Sequence, residues 1–390
     1  PVKKDLSVNI LRIMFPYLAL ISLVAFAGGI QNSHDRFSIP AFTPVIFNIC
    51  LIFAAVIIAP NFEMPIYALA WGVLLAGFLQ LLIQYFPLST INMLPRPVLN
   101  FENKGLKKFL LLIMPAILAG GIIQINILID TIFASLLETG SPTWLYVSDR
   151  LIQFPMGIFA IAIGTVLLPR LSKLDVGSQR QKFIDTLANS QSLVIFIGIP
   201  SLIGLVFCSE DLIAAIFLRG EFQPIDVFRS SNSLIAFSFG LPFFMLMKVL
   251  TPAFFARKDT KTPMYVAFLA LLLNAILNYV LAFVFNFGHV GLAIGSSIAA
   301  FVSVLILEFI LFKNGLVYLK NLNYRFFIAI ILSSTALIIF LKFYTAFTDF
   351  MIMSQAERFL YLGVEVIFSI IIYFSIARLI LGTSFIKQFN

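Results

Sequence analysis

Charged residues are scarce in this chain of 390 residues. Asp, Glu, Lys and Arg make up only 11% of it, while 61% is hydrophobic, and soluble domains carry roughly 25% charged residues. A soluble fold needs a surface that is largely polar, and this composition is too poor in polar residues to supply one. The scarcity of charge therefore excludes a soluble domain and indicates that lipid surrounds most of the chain.

The chain also has few of the residues that metal sites and enzymes use. Its only cysteines are Cys50 and Cys208, and its only histidines are His34 and His289. Both cysteines lie in or at the end of apolar stretches, which is typical of small core residues and not of a disulfide or metal pair. The sequence has no nucleophile elbow, P-loop or glycine-rich dinucleotide turn. We therefore expect a protein that is not an enzyme and holds no cofactor, apart from a coupling ion considered below.

Long apolar stretches dominate the sequence instead. Eleven of them, by an approximate reading, reach the length of about 20 residues that a helix needs to cross a bilayer. They lack the period-2 alternation of barrel strands, so we expect helices. They run approximately over 7–31, 41–60, 64–86, 107–137, 143–169, 190–209, 225–252, 262–286, 288–314, 324–346 and 356–382. The sequence predicts an all-α, polytopic transmembrane helical bundle.

Lys and Arg are distributed unevenly between the loops. One set of alternate loops carries roughly three times as many of them as the other, and cytoplasmic loops are the ones that retain positive charge. This set includes Arg96, Lys104, Arg170, Lys258 and Lys387. The bias places the carboxyl terminus in the cytoplasm and the amino terminus outside. It also accounts for the net charge of +8 without nucleic acid, because the charges are scattered over short loops.

Two ionisable side chains, Asp149 and Arg150, lie inside an apolar stretch. A charge at membrane depth costs at least about 2.5 kcal/mol, so we expect Arg150 to face a cavity and not hydrocarbon. Gln153 shares its helix face, and a guanidinium is the side chain best suited to hold phosphate by two hydrogen bonds. Lys248 is ambiguous, since it could line the cavity or extend to the cytoplasmic interface.

A second group of polar residues carries oxygen ligands. Asn126 and Asp130 are four residues apart, as are Asn274 and Asn278, and Ser296 follows in the next span. Residues four apart share one face of a helix. Their carboxylate, amide and hydroxyl oxygens could bind a small cation. Alternatively, they could form hydrogen bonds between helices.

A polar segment, about 170–182, separates two halves of the chain. We take it as the main connection between two lobes, because it is the most polar stretch among the spans. The predicted regions are a first lobe (1–169), a cytoplasmic linker (170–189), a second lobe (190–314) and two C-terminal helices (315–390).

Five motifs resemble those of a known family. They are RFSIPAFTP at 36–44, DTIFAS at 130–135, SDRLIQFPMG at 148–157, AIGTVLLPRLS at 162–172 and KVLTPAFFARKDTKTP at 248–263. In this order they are similar to MurJ, also called MviN, the lipid II flippase family of bacterial cell-wall synthesis. That family is part of the wider group of multidrug, oligosaccharidyl-lipid and polysaccharide exporters. The resemblance runs from about residue 7 to the end.

The resemblance implies a specific architecture. Members have two lobes of six helices around a central cavity, and two C-terminal helices that form a groove for the lipid tail. Here that groove would be formed by the segments near 324–346 and 356–382. Of the family's fourteen helices the first three would be missing, in agreement with the outside amino terminus. Arg150 corresponds to an arginine at the substrate pyrophosphate, and Gln153 stands where some members have Glu. Asp130, Asn274, Asn278 and Ser296 resemble the family's sodium site.

The expected function follows from these matches. The protein would flip lipid II from the inner to the outer leaflet of the bacterial cytoplasmic membrane by alternating access. Asp149, Gln153 and Lys248 would accompany Arg150 at the substrate, and Na⁺ or the membrane potential would drive transport. Its partners would be lipid II and membrane lipids, without nucleic acid, and it would act as a monomer. The alternative is a related exporter of drugs or of O-antigen lipids, since these share the fold.

Overall fold

The computed structural model describes residues 2–34, 36, 38–94, 121–122, 124–174, 179–316 and 324–382. Within these ranges every regular element is helical. The α-helices are α1 (Val2–Met14), α2 (Tyr17–Ser33), α3 (Ser38–Phe53), α4 (Ile66–Thr90), α5 (Gln124–Ser135), α6 (Ser141–Pro155), α7 (Ala162–Ser172), α8 (Arg180–Phe207), α9 (Ser209–Phe217), α10 (Pro224–Ala256), α11 (Lys261–Tyr279), α12 (Gly288–Lys313), α13 (Tyr324–Phe347) and α14 (Gln355–Leu381). Three short π-helices extend α3, α6 and α11, at Ala54–Ile58, Met156–Ile161 and Val280–Val284.

Ten helices of the described residues are long and apolar enough to cross a membrane. They confirm the predicted polytopic helical bundle and match ten of the eleven predicted spans. The remaining prediction, 107–137, falls partly outside the described residues, and its described part is the shorter apolar helix α5. Many of the largest exposed side chains on the spans are apolar, such as Phe347 at 75% and Leu379 at 83% exposed. Surfaces of this kind fit hydrocarbon and not water.

The chain forms two compact units, Pro1–Leu106 and Lys107–Asn390. The boundary therefore lies before the helices of 141–172, which the sequence analysis counted with the first lobe. Those helices pack against α10, in the second unit. The roles of lobes and linker stay predictions.

In the first unit, α4 packs against α1, α2 and α3. Amide side chains join these apolar helices. Gln31 of α2 donates to Oε1 of Gln84 in α4 over 3.1 Å, and Gln80 of α4 donates to the Thr43 carbonyl in α3 over 2.9 Å. All three Gln side chains are buried. Hydrogen bonds of this kind hold transmembrane helices together where water is absent.

Helix α10 is the centre of the second unit, where it packs against α6, α7, α8 and α12. Small residues allow close contact. The Ser148 hydroxyl of α6 donates to the Ser230 carbonyl over 2.7 Å, and the Ser297 hydroxyl of α12 donates to the Ala236 carbonyl over 2.8 Å. A Cβ at Gly240 would lie 2.6 Å from the Ser297 hydroxyl. Small interfacial residues and hydroxyl bonds are how helices associate in lipid.

Helices α13 and α14 form a C-terminal pair that packs against α8 and α9. The pair is joined to α8 by the Tyr373 hydroxyl, which donates to the Phe196 carbonyl over 2.9 Å. A capping box begins α14, since the Ser354 amide donates to Glu357 and the Glu357 amide donates back to the Ser354 hydroxyl. These bonds satisfy backbone donors that the first helical turn leaves free.

Gly164 of α7 lies directly against the backbone of α10. A Cβ added at Gly164 would lie 2.6 Å from the Lys248 carbonyl oxygen. We expect Gly164→Ala to lower the free energy of unfolding by about 1–3 kcal/mol, because backbone cannot yield as a side chain can. Thermal unfolding in detergent measures the change. Gly157→Ala is the matched control, since a Cβ there meets nothing within 4 Å. Equal stability of the two variants would contradict the close approach.

Candidate functional site

Three helices of the second unit bring polar side chains to one place. Asp130 of α5 accepts from the side-chain amide of Asn278 in α11 over 2.6 Å and from that of Asn126 over 3.1 Å. Asn278 also contacts Asn274, and the Asn274 amide lies 3.1 Å from the Ser296 hydroxyl of α12. The structure therefore brings together Asp130, Asn274, Asn278 and Ser296, as the spacing suggested. We call these four residues the oxygen cluster.

The oxygen cluster has an unfilled acceptor. Oδ1 of Asn278 is buried and has no hydrogen-bond partner among the described residues, which is costly in a water-free environment. A Cβ at position 295 would overlap this oxygen, so the Asn278 side chain fits here only because residue 295 is glycine. A small cation or an N–H donor would satisfy this oxygen.

The chemistry of the oxygen cluster suits one type of ion. It offers one carboxylate with neutral amide and hydroxyl oxygens, which are hard ligands. No group of three or more His, Cys, Asp or Glu side chains in the described residues could hold a metal ion. The donor set is therefore unlike a zinc or iron site. A single carboxylate balances a single positive charge, so Na⁺ fits better than a divalent ion.

The Arg150 site is built along α6. The guanidinium lies over the Tyr146 ring, 4.7 Å from its centroid, and donates to Oε1 of Gln153 over 3.3 Å. Gln153 in turn donates to Asp149. Arg150 and Asp149 form no ion pair in the described part of the chain, because adjacent residues point about 100° apart on a helix. Gln153 therefore bridges the two charged groups.

This geometry leaves most of the Arg150 guanidinium available. Its side chain is exposed, and its one described hydrogen bond uses one of five donors. The ring beneath holds the planar group by a cation–π contact. An exposed guanidinium held in one plane on a membrane-spanning helix can donate two hydrogen bonds to an anion with two acceptor oxygens, such as a phosphate.

Lys248 is not part of this arrangement. Helix α10 runs parallel to α6 and α7, since Ser148 bonds to Ser230 and Gly164 lies against Lys248. Lys248 is therefore sixteen residues beyond the level of Arg150, roughly 24 Å along the helix axis. The structure unites Arg150, Asp149 and Gln153 but does not bring Lys248 to them. Its side chain is exposed, and its role stays a prediction.

Sequence reasoning missed two contributors. Tyr146 lies four residues before Arg150, a spacing that could have identified it as the residue beneath the guanidinium. Gly295 was not singled out, because its role depends on a contact between helices that no local pattern encodes. A third feature fixes α6 in place, where the Trp144 indole donates to Asp226 of α10 over 2.8 Å.

Comparisons with known proteins agree with one another. A family model described as "Lipid II flippase MurJ" matches residues 1–360. A "Probable lipid II flippase MurJ" of Vibrio cholerae is 41% identical over 319 residues, which are 82% of this chain and 60% of that protein. A relative with the same description from Haemophilus influenzae is 36% identical, over 84% of this chain and 65% of that protein. The chain thus spans less than two thirds of the length of these relatives.

A solved structure has a similar fold. It is described as "Lipid II flippase MurJ, inward closed conformation", is 28% identical, and matches with a TM-score of 0.79 over 98% of this chain and 76% of that one. Another relative, a "Lipid II flippase MurJ" of Burkholderia cenocepacia, is 36% identical over 84% of this chain and 64% of its own length.

Proposed function

We propose, because this chain belongs to the lipid II flippase MurJ family, that it moves lipid II from the inner to the outer leaflet of the bacterial cytoplasmic membrane. The observation that carries the proposal is the exposed Arg150 guanidinium on a membrane-spanning helix, supported by Tyr146 and Gln153. A positive charge at this depth is costly unless it meets an anion or water. The pyrophosphate of a lipid-linked precursor is an anion of the right geometry.

The transport step needs no covalent chemistry. Arg150 would bind two pyrophosphate oxygens through its fork, while the Tyr146 ring and Gln153 keep the guanidinium in one plane. The headgroup would then cross the membrane inside the protein, and the lobes would change from inward to outward exposure. The apolar tail would remain in lipid or against the C-terminal helices.

The oxygen cluster would couple this movement to a cation. Without an ion, the Asn278 amide nitrogen donates to Asp130. Turning the Asn278 amide would present its oxygen beside that of Asn274, which already faces Asn278, so that the Asp130 carboxylate, two amide oxygens and the Ser296 hydroxyl surround Na⁺. One charge that crosses a potential of 100 mV supplies about 2.3 kcal/mol, which is enough to bias a two-state equilibrium.

Orientation and assembly complete the proposal. The protein is a multi-pass membrane protein, and the Lys and Arg bias favours a cytoplasmic carboxyl terminus. The protein would act as a monomer, with membrane lipids and lipid II as partners. An exporter of drugs or of O-antigen lipids is the remaining candidate, and the headgroup that is bound separates the two.

Substitution of the arginine tests the substrate site. We expect Arg150→Ala, in the protein that carries this sequence, to insert normally but to fail to support growth of cells depleted of their own flippase. The loss of two charged hydrogen bonds, each worth about 1.5–3 kcal/mol, should weaken binding of purified protein to lipid II roughly 100-fold or more. Arg150→Lys should restore little, because an ammonium cannot form the fork.

The control for this experiment is Arg219→Ala, which removes an exposed arginine from the loop after α9. It has the same change in net charge and should bind lipid II as the native protein does. Full growth with Arg150→Ala, at native expression, would show that the guanidinium does not hold the substrate.

Sodium binding is tested by stability. Na⁺ should raise the unfolding temperature of the purified protein, because a ligand of the folded state stabilises it by about 2.7 kcal/mol at a hundred times its dissociation constant. Asp130→Asn should lose this response because it lacks the charge. Gly295→Ala should lose it as well, since its Cβ would occupy the position of the Asn278 oxygen.

Asp185→Asn is the matched control, since it removes an exposed carboxylate from α8 of the same unit, outside the oxygen cluster, and it should keep the response to Na⁺. K⁺ at equal concentration controls for ionic strength. The same stabilisation by Na⁺ in Asp130→Asn and in the native protein would reduce the cluster to hydrogen bonds between helices.

A further inference from the structure

The C-terminal pair, α13 and α14, is joined to α9 by bonds from α14. The Arg358 guanidinium donates to the carbonyls of Leu218, Phe350 and Met351, at 2.9, 2.7 and 3.2 Å. Gln355 donates to the Ala215 carbonyl. These bonds lie at the first turn of α14. The next two turns of the helix bring Glu365 to the same side.

Glu365 is fully buried, and neither of its carboxylate oxygens has a hydrogen-bond partner among the described residues. The Cys208 thiol lies beside it. Asp211 of α9 is close enough to interact with it electrostatically, as is Tyr344 of α13. The groups around Glu365 are therefore acids, a thiol and a phenol.

Two cations of this helix pair, Arg358 and Lys342, are engaged elsewhere. All three described bonds of Arg358 go to backbone carbonyls. The Lys342 ammonium of α13 lies over the Phe207 ring, 6.0 Å from its centroid, and its side chain is exposed. Neither forms an ion pair with Glu365 in the described part of the chain. A charged carboxylate in this position would be unpaired.

A buried carboxyl group without a cation is stable only with its proton, since desolvation of the charge is not repaid. The neighbouring Asp211 lies in α9, outside the spans. Burial, together with the nearby carboxyl groups of Glu365, Glu210 and Asp349, raises its pKa to about 7. The contact between α14 and α9 thus disfavours the negative charge of both Glu365 and Asp211. Tyr361, the remaining titratable group on this part of α14, contributes its backbone carbonyl as an acceptor for the Tyr344 hydroxyl.

We propose that Glu365 is a proton-binding site and that loss of its proton releases the helix pair α13–α14 from α8 and α9. The packed state binds the proton, and the released state exposes the carboxylate to water. Packing is therefore complete at low pH and is lost as the pH rises and the proton leaves to water. The proposal does not depend on which lipid the protein transports.

Cys208 reports the release directly, because it is buried in the packed state. In a Cys50→Ala background, the alkylation rate of Cys208 by N-ethylmaleimide is measured from about pH 6 to 9 in the native protein and in Glu365→Gln. The ratio of the native rate to the Glu365→Gln rate should be near one at about pH 6 and should rise about tenfold or more toward pH 9. A tenfold rise corresponds to a difference of one pH unit in the proton affinity of Glu365 between the packed and released states.

The sign of this ratio decides between release and simple electrostatics. Without release, a charged Glu365 would disfavour the Cys208 thiolate, so the native protein would react more slowly than Glu365→Gln at high pH. A ratio that stays flat or falls overturns the proposal. So does a Glu365→Gln protein whose rate rises with pH as steeply as the native rate.

Two further variants keep the test decisive. Glu365→Met replaces the carboxyl by an apolar group of similar size, and it should behave as Glu365→Gln does even if the buried amide lowers stability. Glu221→Gln removes an exposed carboxylate from the loop after α9 and should keep the native rise. Loss of the rise in Glu221→Gln would show that general charge, and not Glu365, controls the packing.

Discussion

Hydrocarbon offers no hydrogen bonds, and the rest of this structure depends on that constraint. Many hydroxyl groups in the described spans donate to a carbonyl one turn earlier, as Ser238 does to Leu234 and Ser303 to Ala299. Amide side chains instead bond between helices, as Gln31 does to Gln84. A few polar groups escape this rule, among them the Asn278 oxygen and the Glu365 carboxyl. A bound cation would satisfy the Asn278 oxygen, and a bound proton would neutralise the Glu365 carboxyl group.

Helix α10 places the main site. Because it runs parallel to α6 and bonds to it through Ser148 and Trp144, it fixes the helix that carries Arg150. Through Ser297 it also holds α12, which carries Ser296. The arginine and the oxygen cluster thus belong to one packed unit, so a movement of either could be transmitted through α10. Small side chains make this possible by allowing the helices to approach closely.

The sequence predicted some of these features better than others. Length and hydropathy were enough for the spans, because a bilayer has a fixed thickness. Spacing placed Asn274 and Asn278 on one helix face, whereas the convergence of Asp130 with them was implied by the family resemblance. Glu365 was overlooked, because a lone carboxyl in a long apolar stretch does not reveal what it faces.

Lys248 and the division into two compact units show the same limit. The distance of Lys248 from Arg150 depends on the register between two helices, which Gly164 sets by direct contact. The boundary at Leu106 depends on which helices pack together. Neither property is local in the sequence. Burial and exposure of single residues along a span follow from such packing, so the hydrophobic pattern alone could not give them.

The central claim is that the arginine at membrane depth serves a lipid with a pyrophosphate headgroup. Translocation in liposomes tests it most directly, with the purified protein that carries this sequence. One preparation contains lipid II, and the other contains a lipid with the same polyprenyl tail and a neutral sugar headgroup. A membrane-impermeant reagent measures the fraction of each lipid that reaches the opposite leaflet. The account predicts protein-dependent movement of lipid II and none of the neutral lipid. Equal movement of both lipids, or of neither, would contradict it.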